Sequence, residues 1–260
     1  MIINEFDLNN KIIILTGSEG FLAQNFIKAI LNHNGRLILM DKKKKRNYSN
    51  KKIKFFKCNL TSENDVKKVF LKIKANFGDP DVLINNAALN PSTKEIKYNN
   101  FSLENFSKSY WDKDLNNSLT SAFLCTKYFG RLPSKKKRCI INVSSDLGLI
   151  APNQSIYERR NKKKLFKPVS YSVVKHGIIG LTKYTSTIWN KKNIRCNAVA
   201  FGGVYKNQQK SFVKRISKLI PMGRMAKENE YNSTIIYLAS DASSYMNGAT
   251  IVIDGGRTAW

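Results

Sequence analysis

A phenol and an ammonium group stand four positions apart in YSVVK (171–175), on Tyr171 and Lys175. An α-helix turns once in about 3.6 residues, so within a helix both side chains lie on one face. Held side by side in this way, they form a candidate catalytic pair. Tyrosine and lysine are also common on solvated helix faces, so the pair needs the rest of a site elsewhere in the chain.

A glycine-containing turn, TGSEGFLA (16–23), is the second candidate element. Gly17 and Gly20 would let the backbone approach a pyrophosphate closely, and the following helix supplies free N–H groups and a positive dipole end. Ala23 stands where a third glycine is frequent. The turn predicts a dinucleotide site, although tight strand-to-helix turns also need glycine for backbone reasons alone. Glu19 would be unfavourable beside a pyrophosphate unless it points to solvent.

Asp41 closes the second predicted strand, about 20 residues after this turn. An acid at that position can bind the adenosine ribose hydroxyls of NAD and repels the extra phosphate of NADP. Lys42 favours NADP instead, because its ammonium group can bind a 2′-phosphate. The sequence favours NAD, with NADP as the alternative.

Short apolar runs alternate with longer amphipathic stretches along the chain. The apolar runs predict buried strands, at 11–17, 36–41, 53–58, 81–88, 138–145, 193–200 and 248–256. The amphipathic stretches predict helices, at 21–35, 62–78, 102–130, 169–190 and 228–239. We therefore expect an α/β, Rossmann-type fold: a doubly wound parallel sheet of about seven strands with helices on both faces, in a single domain over residues 1–260.

The segment 153–168 breaks this alternation and is rich in charge. It lies between a strand end and the helix with YSVVK, and ligands of open α/β sheets bind at the carboxyl ends of the strands. The segment is a candidate lid or a solvated surface loop.

The composition is strongly basic, with 45 Lys and Arg against 18 Asp and Glu and a net charge of +27. The lysines are spread through the chain without a nucleic-acid motif, so we expect no specific nucleic-acid binding, only salt-dependent attraction to polyanions. No apolar run approaches the ~20 residues of a membrane span. Four separated cysteines predict reduced, buried thiols in a cytoplasmic protein, at Cys58, Cys125, Cys139 and Cys196.

Five motifs in one order resemble the short-chain dehydrogenase/reductase family: TGSEGFLA, Asp41, NNAA (85–88), INVSS (141–145) and YSVVK. The similarity runs from about residue 8 to the terminal DGGRTAW. It implies that Tyr171 is the general acid or base, that Lys175 favours the phenolate and binds the nicotinamide ribose, and that Ser145 binds the reacting oxygen.

The candidate cofactor-binding residues follow from the turn, from Asp41 and from this resemblance. They are Gly17, Ser18, Gly20, Phe21, Leu22, Asp41, Asn59, Leu60, Asn86, Ala87, Ala88, Tyr171, Lys175, Gly202 and Val204.

Three features depart from the family pattern. Ser118 stands where the family usually has an asparagine that holds a proton-relay water, and Asn117 faces another direction on a helix. Phe201 stands where proline is common, which would leave the loop beside the nicotinamide freer or reshape it. Ser145 and Tyr171 are 26 residues apart, about twice the usual separation. Ser118 is kept among the candidate catalytic residues.

The longer matches resemble a branch linked to bacterial surface carbohydrates such as flagellin glycan, capsule or O-antigen. This implies a sugar phosphate or nucleotide sugar as the substrate. Basic residues in the candidate lid would attract such an anion, namely Arg159, Arg160 and Lys162 to Lys164.

Two alternatives stay open, a 3-oxoacyl-(acyl carrier protein) reductase and a dinucleotide-binding scaffold with impaired catalysis. The family also implies a homotetramer or homodimer, formed through the helices at 102–130 and 169–190 with the C-terminal tail crossing to a neighbour.

Overall fold

A seven-stranded parallel sheet forms the centre of the protein. The structure, a computed structural model, describes residues 5–90, 101–157 and 165–260. The strands are β1 (Ile12–Thr16), β2 (Arg36–Asp41), β3 (Ile53–Lys57), β4 (Val82–Asn85), β5 (Arg138–Ser145), β6 (Ile194–Phe201) and β7 (Thr250–Ile253). Their order is β3-β2-β1-β4-β5-β6-β7, and all neighbours are parallel. The predicted α/β fold is confirmed.

Helices cover both faces of this sheet. They are α1 (Phe21–Asn32), α2 (Glu63–Phe77), α3 (Lys108–Leu115), α4 (Ser121–Arg131), α5 (Val169–Ile188), α6 (Lys210–Ser217) and α7 (Asn232–Ala239). One apolar core joins α1 and α7 to the sheet, and a second joins α2 and α4 to its other face. Strands β1, β4 and β5 are buried along their whole length, as the continuous apolar runs predict.

The helix predicted at 102–130 differs most from the structure. It begins at Lys108, because the Ser107 hydroxyl caps it by accepting a hydrogen bond from the Tyr110 N–H at 3.2 Å. It is then interrupted between α3 and α4 by a π-helical turn, Asn116–Thr120. Helix α6 was not predicted.

The four cysteines are free and buried, as the sequence predicts. Within residues 5–90, 101–157 and 165–260, every helix is too short or too polar to cross a membrane.

Candidate functional site

A cavity of about 880 Å³ opens at the carboxyl ends of the central strands. The order of the sheet reverses between β1 and β4, the place where open α/β sheets bind ligands. Fourteen of the predicted site residues line this cavity: Gly17, Gly20, Phe21, Leu22, Asp41, Leu60, Asn86, Ala87, Ala88, Ser145, Tyr171, Lys175, Gly202 and Val204.

The glycine turn between β1 and α1 has the backbone that an anion site requires. Gly17 has a φ of +61°, and a Cβ at this position would lie 2.6 Å from the Cα of Ala87. Gly20 precedes α1 without a side-chain capping bond, and the first turn of the helix carries no acid. The Asn86 side chain donates to the carbonyls of Thr16 and Gly17, at 3.1 Å each. The turn therefore presents helix N–H groups to the cavity and fits a pyrophosphate.

Glu19 does not point to solvent, and its charge is compensated by another residue. Its side chain is buried and accepts from Arg46 Nη1 at 2.7 Å and from the Tyr48 hydroxyl at 2.9 Å. The guanidinium of Arg46 compensates the carboxylate beside the expected pyrophosphate position. Arg46 belongs to the basic run after Asp41, so part of that run has a structural role.

Asp41 lies at the end of β2, facing the glycine turn. Its Oδ2 accepts from the Glu19 N–H at 3.0 Å and its Oδ1 from the Lys42 N–H at 2.7 Å. The Lys42 ammonium group donates to Asn117 Oδ1 at 2.8 Å, and Lys42, Lys45 and Asn117 also line the cavity. The acid that favours NAD and the lysines that favour NADP therefore border the same cavity.

Tyr171, Lys175 and Ser145 meet at the other end of the cavity. Tyr171 and Lys175 lie in α5, and the Lys175 Nζ is 5.7 Å from the centroid of the Tyr171 ring. Lys175 Nζ donates to the Val143 carbonyl at 3.0 Å, which fixes the lysine to β5. The Ser145 hydroxyl donates to Asp146 Oδ1 at 2.7 Å. The fold thus brings residues from separate motifs of the sequence together at one site.

Burial shifts both titrating groups of this constellation. Burial raises the pKa of Tyr171 to about 12, while a hydrogen bond with Ser145 acts in the opposite direction. Burial lowers the pKa of Lys175 to about 8, and the nearby Asp114 carboxylate opposes this shift. The direction for Tyr171 is opposite to the one that the resemblance implies. At neutral pH the phenol holds its proton and the lysine is charged.

Three predicted site residues do not line the cavity. Ser18 is fully buried within the turn, and its hydroxyl has no partner among the described residues. Asn59 is exposed, and its Oδ1 accepts from the N–H and the hydroxyl of Thr61. Neither residue lines the cavity, so their cofactor-binding role stays a prediction. Ser118 is buried behind the cavity wall, with 1% of its surface exposed.

Ser118 is bound to a buried acid that the sequence analysis missed. Its hydroxyl donates to Asp114 Oδ1 at 3.2 Å and accepts from the Leu89 N–H at 3.1 Å. The other oxygen of Asp114 accepts from the Ser170 hydroxyl at 2.6 Å. The available signal for Asp114 was its position in the predicted helix, an acid four residues before Ser118.

Phe201 lies in the core, immediately before the loop that follows β6. The residue is the last of β6, is 3% exposed, and stacks on Tyr231 with 4.0 Å between the ring centroids. Its strand lies between β5 and β7, where it pairs with Ser145 and Ile253. Its side chain therefore packs as a core residue, and a freer or reshaped loop after it stays a prediction.

Two further groups missed by the sequence analysis lie beside Ser145 and Tyr171. Asp146 and Arg257 form a buried ion pair with 2.8 Å between Oδ2 and Nη1. Lys167 lies on the cavity wall with its Nζ 3.8 Å from the centroid of the Tyr171 ring. These three charged residues lie within or directly beside segments that match the family, and this position was the available signal for them.

The ends of the candidate lid also reach the cavity. Tyr157 and Lys167 line it, and the Lys167 N–H donates to Gln154 Oε1 at 2.9 Å. Residues 158–164 lie outside the described residues. The predicted anion-attracting side chains of the lid fall in that range, namely Arg159, Arg160 and Lys162 to Lys164.

Comparison with known proteins agrees with this fold. The family model described as enoyl-(acyl carrier protein) reductase matches residues 22–258. A short-chain dehydrogenase from Leptospira borgpetersenii with bound NAD+ superposes with a TM-score of 0.88 at 26% identity, over 99% of this chain and 97% of that one. The chain belongs to the short-chain dehydrogenase/reductase family.

Curated relatives within the family differ in their substrates. A 7alpha-hydroxysteroid dehydrogenase of Bacteroides fragilis is 29% identical, over 98% of this chain and 96% of its own. The 3-oxoacyl-[acyl-carrier-protein] reductase FabG of Thermotoga maritima is 31% identical, over 79% and 77%. Post-translational flagellin modification protein A of Campylobacter coli is 27% identical, over 96% and 98%. Similarity alone therefore does not select a substrate class.

Proposed function

We propose that this protein is an NAD(P)-dependent oxidoreductase that interconverts a hydroxyl and a carbonyl group of a small substrate. The observation that carries the proposal is the shared cavity: Ser145, Tyr171 and Lys175 line the same space as the glycine turn and Asp41. One end of that space suits a dinucleotide and the other suits proton transfer to a bound oxygen.

The residues of the cavity fit the cofactor. The N–H groups at the start of α1 would hold the pyrophosphate, Asp41 the adenosine ribose and Lys175 the nicotinamide ribose. NAD(P), when bound, supplies or accepts the hydride. NAD is the preferred form because the Asp41 carboxylate would repel a 2′-phosphate, while Lys42 and Lys45 keep NADP as the alternative.

The chain's own residues manage the substrate oxygen and its proton. In the reducing direction the protonated Tyr171 donates its proton to the carbonyl oxygen, and the Ser145 hydroxyl orients that oxygen. The charged Lys175 stabilises the phenolate that remains on Tyr171. In the oxidising direction Tyr171 takes the proton back. Ser118 acts on this machinery through Asp114 and does not contact the substrate.

We propose a carbohydrate intermediate, a sugar phosphate or nucleotide sugar, as the substrate. The resemblance to the surface-carbohydrate branch and the flagellin modification relative support this class. A 3-oxoacyl-(acyl carrier protein) reductase is the second candidate, supported by the FabG relative. Turnover of a carrier-free 3-oxoacyl thioester that exceeds turnover of every sugar would favour the second candidate.

We further propose a single-domain, cytoplasmic protein that assembles into a homotetramer or homodimer. The four free, buried cysteines suit a reducing compartment. Exposed apolar side chains on α4 and α5 support an interface through these helices, namely Phe123, Val173, Tyr184 and Ile188. Sedimentation velocity tests the assembly, and a monomer at micromolar concentration would contradict it.

Parallel fluorescence titrations with NADH and NADPH test the cofactor proposal, at about 0.15 M salt to screen nonspecific attraction. Turnover is then followed over a panel of sugars and acyl thioesters. Tyr171→Phe removes one hydroxyl and is expected to abolish turnover while NADH affinity stays within about twofold. Tyr245→Phe is the matched control, because it removes the same hydroxyl from a fully exposed tyrosine outside the cavity. Retained turnover in Tyr171→Phe would refute the assigned role.

A further inference from the structure

Lys167 is a buried lysine that has no role in the proposed reaction. Only 8% of its surface is exposed, yet the residue lines the cavity. Its Nζ lies 3.8 Å from the centroid of the Tyr171 ring and donates to Asn90 Oδ1 at 2.7 Å. The ammonium group is therefore held against the ring that carries the catalytic phenol.

Among the described residues, the buried charges beside Tyr171 are not balanced. The ammonium groups of Lys167 and Lys175 lie beside its ring, and the nearby carboxylates are those of Asp114 and Asp146. Asp146 is paired with Arg257, and Asp114 accepts from Ser118 and Ser170.

Lys167 itself has no carboxylate within ion-pair distance in the part of the chain that the structure describes. A buried ammonium group without a counter-charge raises the free energy of the folded protein. Among the described residues, Asn90 receives one hydrogen bond from this ammonium group, which carries three donors. An anion in the cavity would supply both the charge and the acceptors.

We propose that Lys167, assisted by the Asn90 amide, binds an anionic group of the substrate that lies close to the reacting carbon. The group is a carboxylate or a phosphate, since both present charged oxygens to an ammonium. The anionic group must lie close to the reacting carbon, because the reacting oxygen has to reach the Tyr171 hydroxyl and Lys167 lies over the ring of the same tyrosine. The inference rests on the proposed function and assigns Lys167 as the residue that selects acidic substrates over neutral ones.

A purely structural role for Lys167 makes a different prediction. Its side chain meets Asn90, and its N–H meets Gln154, so it also joins segments on either side of the cavity. If that were its whole task, replacing it would affect anionic and neutral ligands equally. Discrimination between matched acidic and neutral ligands is therefore the informative measurement.

The experiment uses three polyols of one carbon skeleton: D-sorbitol, D-gluconate and D-sorbitol 6-phosphate. They carry a hydroxymethyl, a carboxylate and a phosphate group respectively. Each is titrated calorimetrically into the full-length protein saturated with NADH at about 0.15 M salt, which screens long-range attraction. NADH and a polyol are both reduced, so no turnover disturbs the binding measurement.

The variants separate charge from shape. Lys167→Gln keeps a hydrogen-bonding side chain but removes the charge, and Lys167→Arg keeps the charge. Lys183→Gln removes the same charge from an exposed position on α5 and controls for the net charge of the protein. Circular dichroism of each variant confirms that it is folded before titration.

Wild-type protein is expected to bind at least one anionic polyol about tenfold or more tightly than sorbitol, the range of one charge-assisted hydrogen bond. Lys167→Gln should bring the three affinities within about twofold, while Lys167→Arg and Lys183→Gln keep the preference. Preference for gluconate identifies a carboxylate, and preference for the sugar phosphate identifies a phosphate.

Three results would overturn the inference: equal affinities in wild type, an unchanged preference in Lys167→Gln, or no binding of either anion up to roughly 50 mM. Failure of NADH itself to bind would instead refute the proposed function.

Discussion

The hydroxyl of Ser118 donates to the buried carboxylate of Asp114 one helical turn earlier, with 3.2 Å between Oγ and Oδ1. The same hydroxyl accepts from the Leu89 N–H, so it joins the π-helical turn to the loop after β4. The serine hydroxyl at this position therefore makes specific hydrogen bonds to two other segments of the site. Its substitution has two predictable effects, one on stability and one on turnover.

Ser118→Ala should lower the unfolding free energy by about 1–3 kcal/mol, because the half-buried Leu89 N–H loses its acceptor and the buried Asp114 carboxylate loses a donor. Ser118→Asn inserts extra atoms at a position that is 1% exposed, so we expect a loss of about 1–3 kcal/mol and no gain in turnover. Urea denaturation and steady-state kinetics measure both effects. A Ser118→Asn enzyme with clearly raised turnover would instead support the impaired-scaffold alternative.

Arg257→Met should destabilise the protein by about 3–5 kcal/mol, because it leaves Asp146 charged and buried without its partner. The matched control is Arg224→Met, which breaks a more exposed pair with Glu230 and should cost much less. Urea denaturation of both variants provides the comparison. Equal losses would show that burial does not set the strength of the Asp146–Arg257 pair.

Lys167 gives stability a defined pH dependence. Burial lowers its pKa from 10.5 to about 8. Below pH 8 both folded and unfolded states hold the proton, and the folded state carries the full cost of the buried charge. Between about pH 8 and 10.5 the unfolded state binds more protons, so wild-type stability gains from this group as the pH rises.

Lys167→Met lacks this titration and isolates its effect. We expect the variant to be more stable than wild type at pH 7, with the difference shrinking as the pH rises through about 8. Urea midpoints at pH 7 and pH 9 test the trend, and all other titrating groups are common to both proteins. A difference that stays constant or widens would mean that Lys167 is not a strongly desolvated ammonium group.

Phe201→Pro should destabilise the protein by roughly 3 kcal/mol or more, because the stacking on Tyr231 and a backbone N–H in a central strand are lost together. Phe201→Leu keeps the N–H and most of the volume, and should cost less than about 1.5 kcal/mol. Thermal or urea unfolding ranks the two variants. A proline variant as stable as wild type would support the view that Phe201 borders a loose loop.

Asp41→Asn should change cofactor preference without disturbing the turn. Asp41 now accepts hydrogen bonds from the Glu19 and Lys42 N–H groups. The amide oxygen of asparagine can still accept one of them, while the charge that repels a 2′-phosphate is removed. We expect NADPH affinity to rise relative to NADH affinity by about tenfold, the effect of about 1.4 kcal/mol. Parallel fluorescence titrations measure the ratio, and an unchanged ratio would assign cofactor choice to the lysines after Asp41.

The sequence by itself determined the architecture and the order of the site. Seven apolar runs became the seven strands, and β1, β4 and β5 are buried along their whole length, because a strand covered on both faces needs apolar side chains throughout. The edge strands β3 and β7 are only partly buried. Gly17, Asp41 and Ser145 lie at the cavity because parallel strands bring their carboxyl ends to one edge of the sheet, and the family resemblance placed Tyr171 with them.

Only the tertiary structure decided which charges meet. Asp146 and Arg257 are 111 residues apart and form one buried pair, while Lys167 and Asn90 are joined across 77 residues. Glu19 and Arg46 meet across 27 residues, through a contact that no local spacing encodes. The sequence reports that a residue is charged, but its partner depends on how the loops pack, and burial then sets the strength and the pKa of each group.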